Sequence, residues 1–123
     1  MELRAAPAYV RWYQRLDDPE AAALIDSMRR YLQRLEECPA EATMQLAPLV
    51  QASPGYDLWR VKHSHRDGYA MRLIVWFDDD NPGRVYIVFA GNKHPLHDVW
   101  YNRAVNEAEH EVDRLKRRRK DTP

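Results

Sequence analysis

Read for the spacing of its apolar positions, the chain divides into a helical first part, a central stretch of short strands and a helical end. Ala21, Leu24, Ile25, Met28, Leu32 and Leu35 recur at helical steps, with Arg29, Arg30, Arg34, Glu36 and Glu37 mostly on the other faces. Asp18-Pro19-Glu20 is a start signal for this helix, combining an N-cap carboxylate, a first-turn proline and a negative charge near the positive pole of the dipole. Cys38-Pro39 supplies the stop, because a residue before proline is steered away from helical angles. Upstream, Tyr9, Arg11 and Tyr13 alternate with Ala8, Val10 and Trp12, which fits both a short strand and the first turn of a helix. Glu41 to Ala47 reads as a further short helix before Pro48, and Gln51 to Tyr56, with Pro54-Gly55, as a turn.

From Leu58 the period changes to two. Leu58, Arg60 and Lys62 fall on one face of a strand and Trp59, Val61 and His63 on the other. Asp67-Gly68 suits a tight turn, and Ala70 to Phe77, apolar except for Arg72, reads as a central strand covered on both faces. Asp78 to Gly83 forms a second turn and Val85 to Ala90 a third strand, so short connections predict an antiparallel meander. Pro95 opens a last helix with Tyr101, Val105, Ala108, Val112 and Leu115 along a single stripe. Its basic end, Arg114 to Lys120, complements the negative pole of the dipole and reads as solvated. Residues 1–120 are expected to form one domain, with 121–123 frayed.

Composition narrows the function classes. The 123 residues carry 19 basic and 19 acidic side chains, so the total charge argues for neither nucleic acid nor membrane. The distribution is uneven: residues 1–57 hold 6 Lys/Arg against 9 Asp/Glu, and residues 58–123 hold 13 against 10, so an anionic partner would meet the second part. A lone Cys38 excludes an internal disulfide and any paired-cysteine motif, and reads as a half-buried structural thiol. The chain shows neither a signal-peptide pattern nor an apolar run of membrane-spanning length, so the cytoplasm is the expected compartment and no membrane partner is expected.

The candidate chemistry lies in cations that interrupt apolar strands. Arg72 stands among Met71, Leu73, Ile74, Val75, Trp76 and Phe77, where a guanidinium needs either a carboxylate partner, such as Asp57 or Asp67, or an anionic ligand. Arg60 and Lys62 share a face of the neighbouring strand, and three converging cations suit a phosphate. His63, His65, His94 and His97 titrate near neutrality and are candidates to move a proton, while Tyr101 or Trp100 offers a ring to stack on a base. A zinc reading of these histidines lacks the carboxylate or cysteine of the usual ligand sets. Asp78-Asp79-Asp80 lacks the alternating spacing of a calcium loop and reads as a solvated turn.

Asp57 to Lys62, Tyr69 to Phe77, Val85 to Gly91, Asn92-Lys93, and a helix bearing Trp100-Tyr101 and Ala104 follow one another in an order that resembles the RelE/HigB toxins of bacterial type II toxin–antitoxin modules. The similarity runs from about Pro7 to Leu115 and is carried by pattern; Gly91-Asn92-Lys93 to Trp100-Tyr101 is its most specific part. The resemblance implies an α+β fold, with N-terminal helices packed on a small antiparallel meander sheet and a long C-terminal helix. It implies metal-independent cleavage of mRNA, usually on the ribosome, by attack of a ribose 2′-hydroxyl on the adjacent phosphate, with no cofactor. A cognate antitoxin protein is the implied partner. Carried over by residue, Arg72 holds the scissile phosphate, Lys62 with Arg60 assists proton removal, Lys93 or His94 supplies the general acid, and Tyr101 contacts the substrate base. Two departures stand out: the chain is less basic than the family commonly is, and His94-Pro95 replaces a second basic residue. A related branch, similar to ParE, inhibits DNA gyrase by binding without RNA chemistry and is the alternative reading.

Overall fold

The computed structural model describes residues 2–35, 44–64, 66–94 and 99–121. The stretch around Ala8 is helical, forming α1 (Pro7–Gln14), and a second helix, α2 (Pro19–Gln33), follows. Asp18 caps α2 as its sequence predicts: Oδ1 accepts from the amides of Glu20 at 3.0 Å and Ala21 at 3.3 Å. Its other oxygen receives the Tyr69 hydroxyl at 2.6 Å, which holds the Asp18 carboxyl below the usual range and pushes the Tyr69 phenol up to about 12. The predicted stripe from Ala21 to Leu32 is buried. The helix ends at Gln33, short of the Cys38-Pro39 stop, because Arg34 leaves the helical region at φ −104° and ψ 16°. Cys38, Pro39 and the first part of the short helix expected over Glu41–Ala47 lie outside the described residues.

That short helix is overturned where it can be seen. Met44–Pro48 is a strand, β2, paired antiparallel to β3 (Leu58–His63). Backbone pairing with a neighbouring strand outweighs the local preference of so short a segment, and Pro48 sits at its end on the sheet edge, where a missing N–H costs no ladder bond. The predicted meander is the centre of the sheet, β3 pairing with β4 (Met71–Phe77) and β4 with β5 (Arg84–Asn92). A strand absent from the sequence reading, β1 (Glu2–Ala5), adds to β5 in parallel, so the sheet is mixed rather than purely antiparallel, with order β1-β5-β4-β3-β2. Between Ile74 and Val75 the register slips: Ile74 faces Phe89 and Val75 faces Ile87, leaving Val88 as the extra residue of a bulge.

The fold is α+β, with the N-terminal helices packed on the sheet and a long C-terminal helix, α3 (Val99–Asp121), on its other face. One core joins Tyr9 and the buried stripe of α2 to Val61, Leu73, Val75 and Ile87. The other joins Leu58, Ile74, Trp76 and Val88 to Trp100, Ala104, Ala108 and Val112. β4 is buried on both faces, as its apolar run predicts. The expected opening of the last helix at Pro95 lies outside the described residues. Among the described residues no helix is long and apolar enough to cross a membrane.

Two surface readings are corrected. Asp78 belongs to no solvated turn: its side chain is fully buried, and Arg119 reaches it with Nη2 at 2.7 Å from Oδ2. The same guanidinium takes Asp80 at 2.8 Å, and Lys116 lies 3.5 Å from Asp79, so two cations of the basic end of α3 clamp the acidic turn while Arg114, Arg117 and Arg118 are exposed as expected. A second long-range contact starts α1. Its N-cap residue, Ala6, has no capping side chain, and the buried Glu111 of α3 accepts the Ala8 amide at 2.6 Å while pairing with Arg114 at 2.7 Å. We expect Glu111→Ala to lower stability by about 1–2 kcal/mol, the range for a lost helix cap, and Glu111→Gln, which keeps an acceptor, to recover most of it. Urea unfolding midpoints of the two variants test this.

Candidate functional site

The alternation of β3 and its pairing with β4 bring the strand cations together. Lys62 lies directly opposite Arg72, and Arg60, two residues back, faces Ile74 on the same side of the sheet. This is the α3 side, shared with Leu58 and Trp76. The three cations, with Lys93 and Tyr101, line a cavity of about 340 Å³ that Pro48, Val50 and Gln51 complete. Five of the six candidate residues therefore meet in one space, and none of the described lining residues is acidic. His94 is not in the lining; it is exposed.

Arg72 is only 5% exposed, yet among the described residues neither Asp57 nor Asp67 pairs with it. Asp57 instead accepts the Trp59 indole N–H at 2.7 Å. The guanidinium is held by two neutral acceptors: Nε donates to the Tyr101 hydroxyl at 3.2 Å and Nη1 to the Met71 carbonyl at 2.9 Å. Among the described residues no carboxylate neutralises its charge, and the side chain lines the cavity. Arg72 is the largest influence on Lys62, lowering the pKa of its ammonium together with partial burial and the charges of Arg60 and Lys93. Arg60 reaches sideways to Gln45 of β2, with Nη1 3.4 Å from Oε1.

Both aromatic candidates have structural work that the sequence did not reveal. Tyr101 is 6% exposed, packs edge-on against Trp100, and carries the Lys93 ammonium 5.1 Å from its ring centroid. It positions Arg72 and Lys93 and has little free face for a base. Trp100 is equally buried and lies against Gly91, where a Cβ would come within 3.0 Å of the indole nitrogen. Gly91 sits opposite Arg72, so its missing side chain is what lets the helix approach the sheet beside the guanidinium.

Asn92, quoted in the resemblance, carries a role that the sequence alone did not assign. Its Oδ1 accepts the amides of Ala70 at 2.9 Å and His94 at 3.0 Å, and its Nδ2 donates to the Gly68 carbonyl at 3.0 Å. With the Lys93 amide bonded to the Ala70 carbonyl at 2.9 Å, these bonds fix the chain where Lys93 enters the cavity. The only signal available was an Asn at a strand end, a residue type that bonds nearby backbone. Pro48, Val50 and Gln51 were missed for a different reason, since their segment became part of the site only through the pairing of β2.

Among the described residues the histidines form no second site. His63 is buried on the opposite face of β3, with Nδ1 3.1 Å from the Ser64 carbonyl oxygen, and His65 and His97 lie outside the described residues. Among the described residues no three His, Cys, Asp or Glu side chains gather as a metal-holding group. The arrangement can bind a phosphodiester, neutralise charge developing on its oxygens, and offer an ammonium of lowered pKa for proton transfer. No protein-family model, curated protein or solved structure matches the chain.

Proposed function

We propose that the cavity is the site of an endoribonuclease toxin resembling the RelE/HigB group, with a RelE/ParE-like fold, that cleaves mRNA on the ribosome and is neutralised by an antitoxin protein covering the cationic face. The observation that carries this reading is a cavity in which Arg60, Lys62, Arg72 and Lys93 converge, with Arg72 buried and no carboxylate among the described lining residues. A buried guanidinium without an acid is costly unless an anion compensates it, and the phosphodiester supplies one.

In the proposed reaction Arg72 and Arg60 bind the non-bridging phosphate oxygens. Lys62, as the neutral amine, takes the proton of the ribose 2′-hydroxyl. The 2′-oxygen forms a bond to phosphorus, the bond from phosphorus to the 5′-oxygen breaks, and Lys93 returns a proton to that oxygen. The products are a 2′,3′-cyclic phosphate and a 5′-hydroxyl. Lys93 is assigned as the acid over His94 because only Lys93 lines the cavity. Inducing the wild type and an Arg72→Ala/Lys93→Ala double variant, then mapping transcript ends by primer extension, tests the reading. New ends with the wild type and none with the variant are expected; growth arrest by the wild type without new ends would sink it.

A further inference from the structure

We infer that the β2–β3 turn, through Val50 and Gln51, is the wall of the cavity that reads the nucleobase beside the scissile phosphate. The inference rests on the RNA-cleavage reading above. The cavity has two chemically distinct parts: Arg60, Lys62, Arg72 and Lys93 supply charge, and Pro48, Val50 and Gln51 supply an uncharged rim. A ligand that fills both has an anionic group joined to a flat, partly apolar one with polar edges, which describes a nucleotide within a strand.

An exposed valine alone would say little, because single surface hydrophobics are common. Val50 is 87% exposed on a turn that is fixed from several directions. Its neighbour Leu49 is buried in the α3-side core and donates its amide to the Leu58 carbonyl at 2.9 Å. The Ala52 amide closes back onto Leu49 at 3.0 Å. Glu109 of α3 accepts both the amide of Ser53 at 2.7 Å and its hydroxyl at 3.0 Å, and Asp113 accepts the Tyr56 hydroxyl at 2.8 Å. The turn is thus tied to the helix that carries Tyr101, and Val50 and Gln51 are left as the side chains it presents at the cavity.

The placement suits the role. From Tyr101 to Glu109 is about 12 Å of helix at roughly 1.5 Å per residue, so the wall stands apart from the Arg72 end while both are anchored on one rigid element. A preorganised apolar side chain can pack on a base face, and the Gln51 carboxamide offers two donors and an acceptor to a base edge. Because the wall lies outside the cation cluster, it sets which base is favoured rather than whether the phosphate reacts.

The test is to induce wild type, Val50→Ser, Gln51→Ala and the double variant, and to sequence transcript 5′ ends across the transcriptome. Wild-type ends should be enriched at particular bases next to the cut. The variants should still cut, with that enrichment flattened by roughly five- to tenfold, the size expected from losing contact to one base. Both side chains are exposed, so melting temperatures should match the wild type. Wild-type cleavage with an identical base distribution in the double variant overturns this inference and leaves the nuclease reading standing. No wild-type cleavage at all overturns both.

Discussion

With Lys62 replaced by Met, the proposed cleavage of an RNA substrate, on the ribosome or free, is expected to fall in single-turnover assays by roughly 10²- to 10⁴-fold, the usual contribution of a general base. Lys62→Arg does not rescue it. Arginine would preserve the positive charge opposite Arg72, but it cannot deprotonate in the working range, so failure of this variant separates a base from a mere phosphate clamp. Restoration of cleavage by Lys62→Arg would assign Lys62 to charge stabilisation and leave the proton to another group.

The pH profile carries the same prediction in a second form. A lysine acting as base works as the neutral amine, so the rate rises with pH until it passes the Lys62 pKa, which lies below that of an ordinary lysine. Arg72 contributes most to that lowering, followed by partial burial, Arg60 and Lys93. Arg60→Gln removes one of the repelling charges, so Lys62 holds its proton more tightly and the rising limb moves to higher pH. The loss in Arg60→Gln should therefore be largest near neutrality and shrink in alkaline buffer. A uniform loss at every pH would mean that Arg60 acts on the phosphate alone.

The cationic face was legible because strand alternation needs no tertiary information: Arg60 and Lys62 share a side wherever the strand lies. That Arg72 joins them depends on register, which the tight turn at Asp67-Gly68 constrains; Gly68 has φ +77°, a conformation that favours glycine. What escaped the sequence was supplied by distant residues. Glu111 caps a helix 103 positions away, and Arg119 meets Asp78 across 41. Neither partner carries a local sign of the other. The β2 error shows the same limit, because Met44 to Pro48 alternates over too few residues for period two to outweigh a helical reading, and pairing with β3 decides the matter. Tyr101 was found for its ring, whereas its hydroxyl is what holds Arg72. Sequence position identified the residue, and only geometry revealed which end of it matters.

Arg119→Ala is expected to lower stability by about 1–3 kcal/mol at neutral pH, because the fully buried Asp78 carboxylate loses its charged partner. The lower part of that range is favoured, since Arg119 is 31% exposed and water screens the pair. Burial pushes the Asp78 pKa up, but hydrogen bonds from Arg119, Asn81 and the Asp80 amide outweigh it and leave the group below the ordinary aspartate value. A folded-state pKa below the unfolded one means that the contribution is present above about pH 4 and is lost as pH falls through the folded value. Without Arg119 the burial effect faces weaker opposition, so Asp78 protonates at higher pH and acid unfolding begins earlier. Urea unfolding between about pH 7 and about pH 2.5 should show the gap between wild type and Arg119→Ala closing toward the acid end, because a protonated Asp78 no longer needs the guanidinium. Arg119 also lies over the Trp76 ring, 5.8 Å from its centroid, and that contact does not depend on Asp78. A gap that stays constant across the pH range would therefore assign the stabilisation to the indole and not to the buried ion pair.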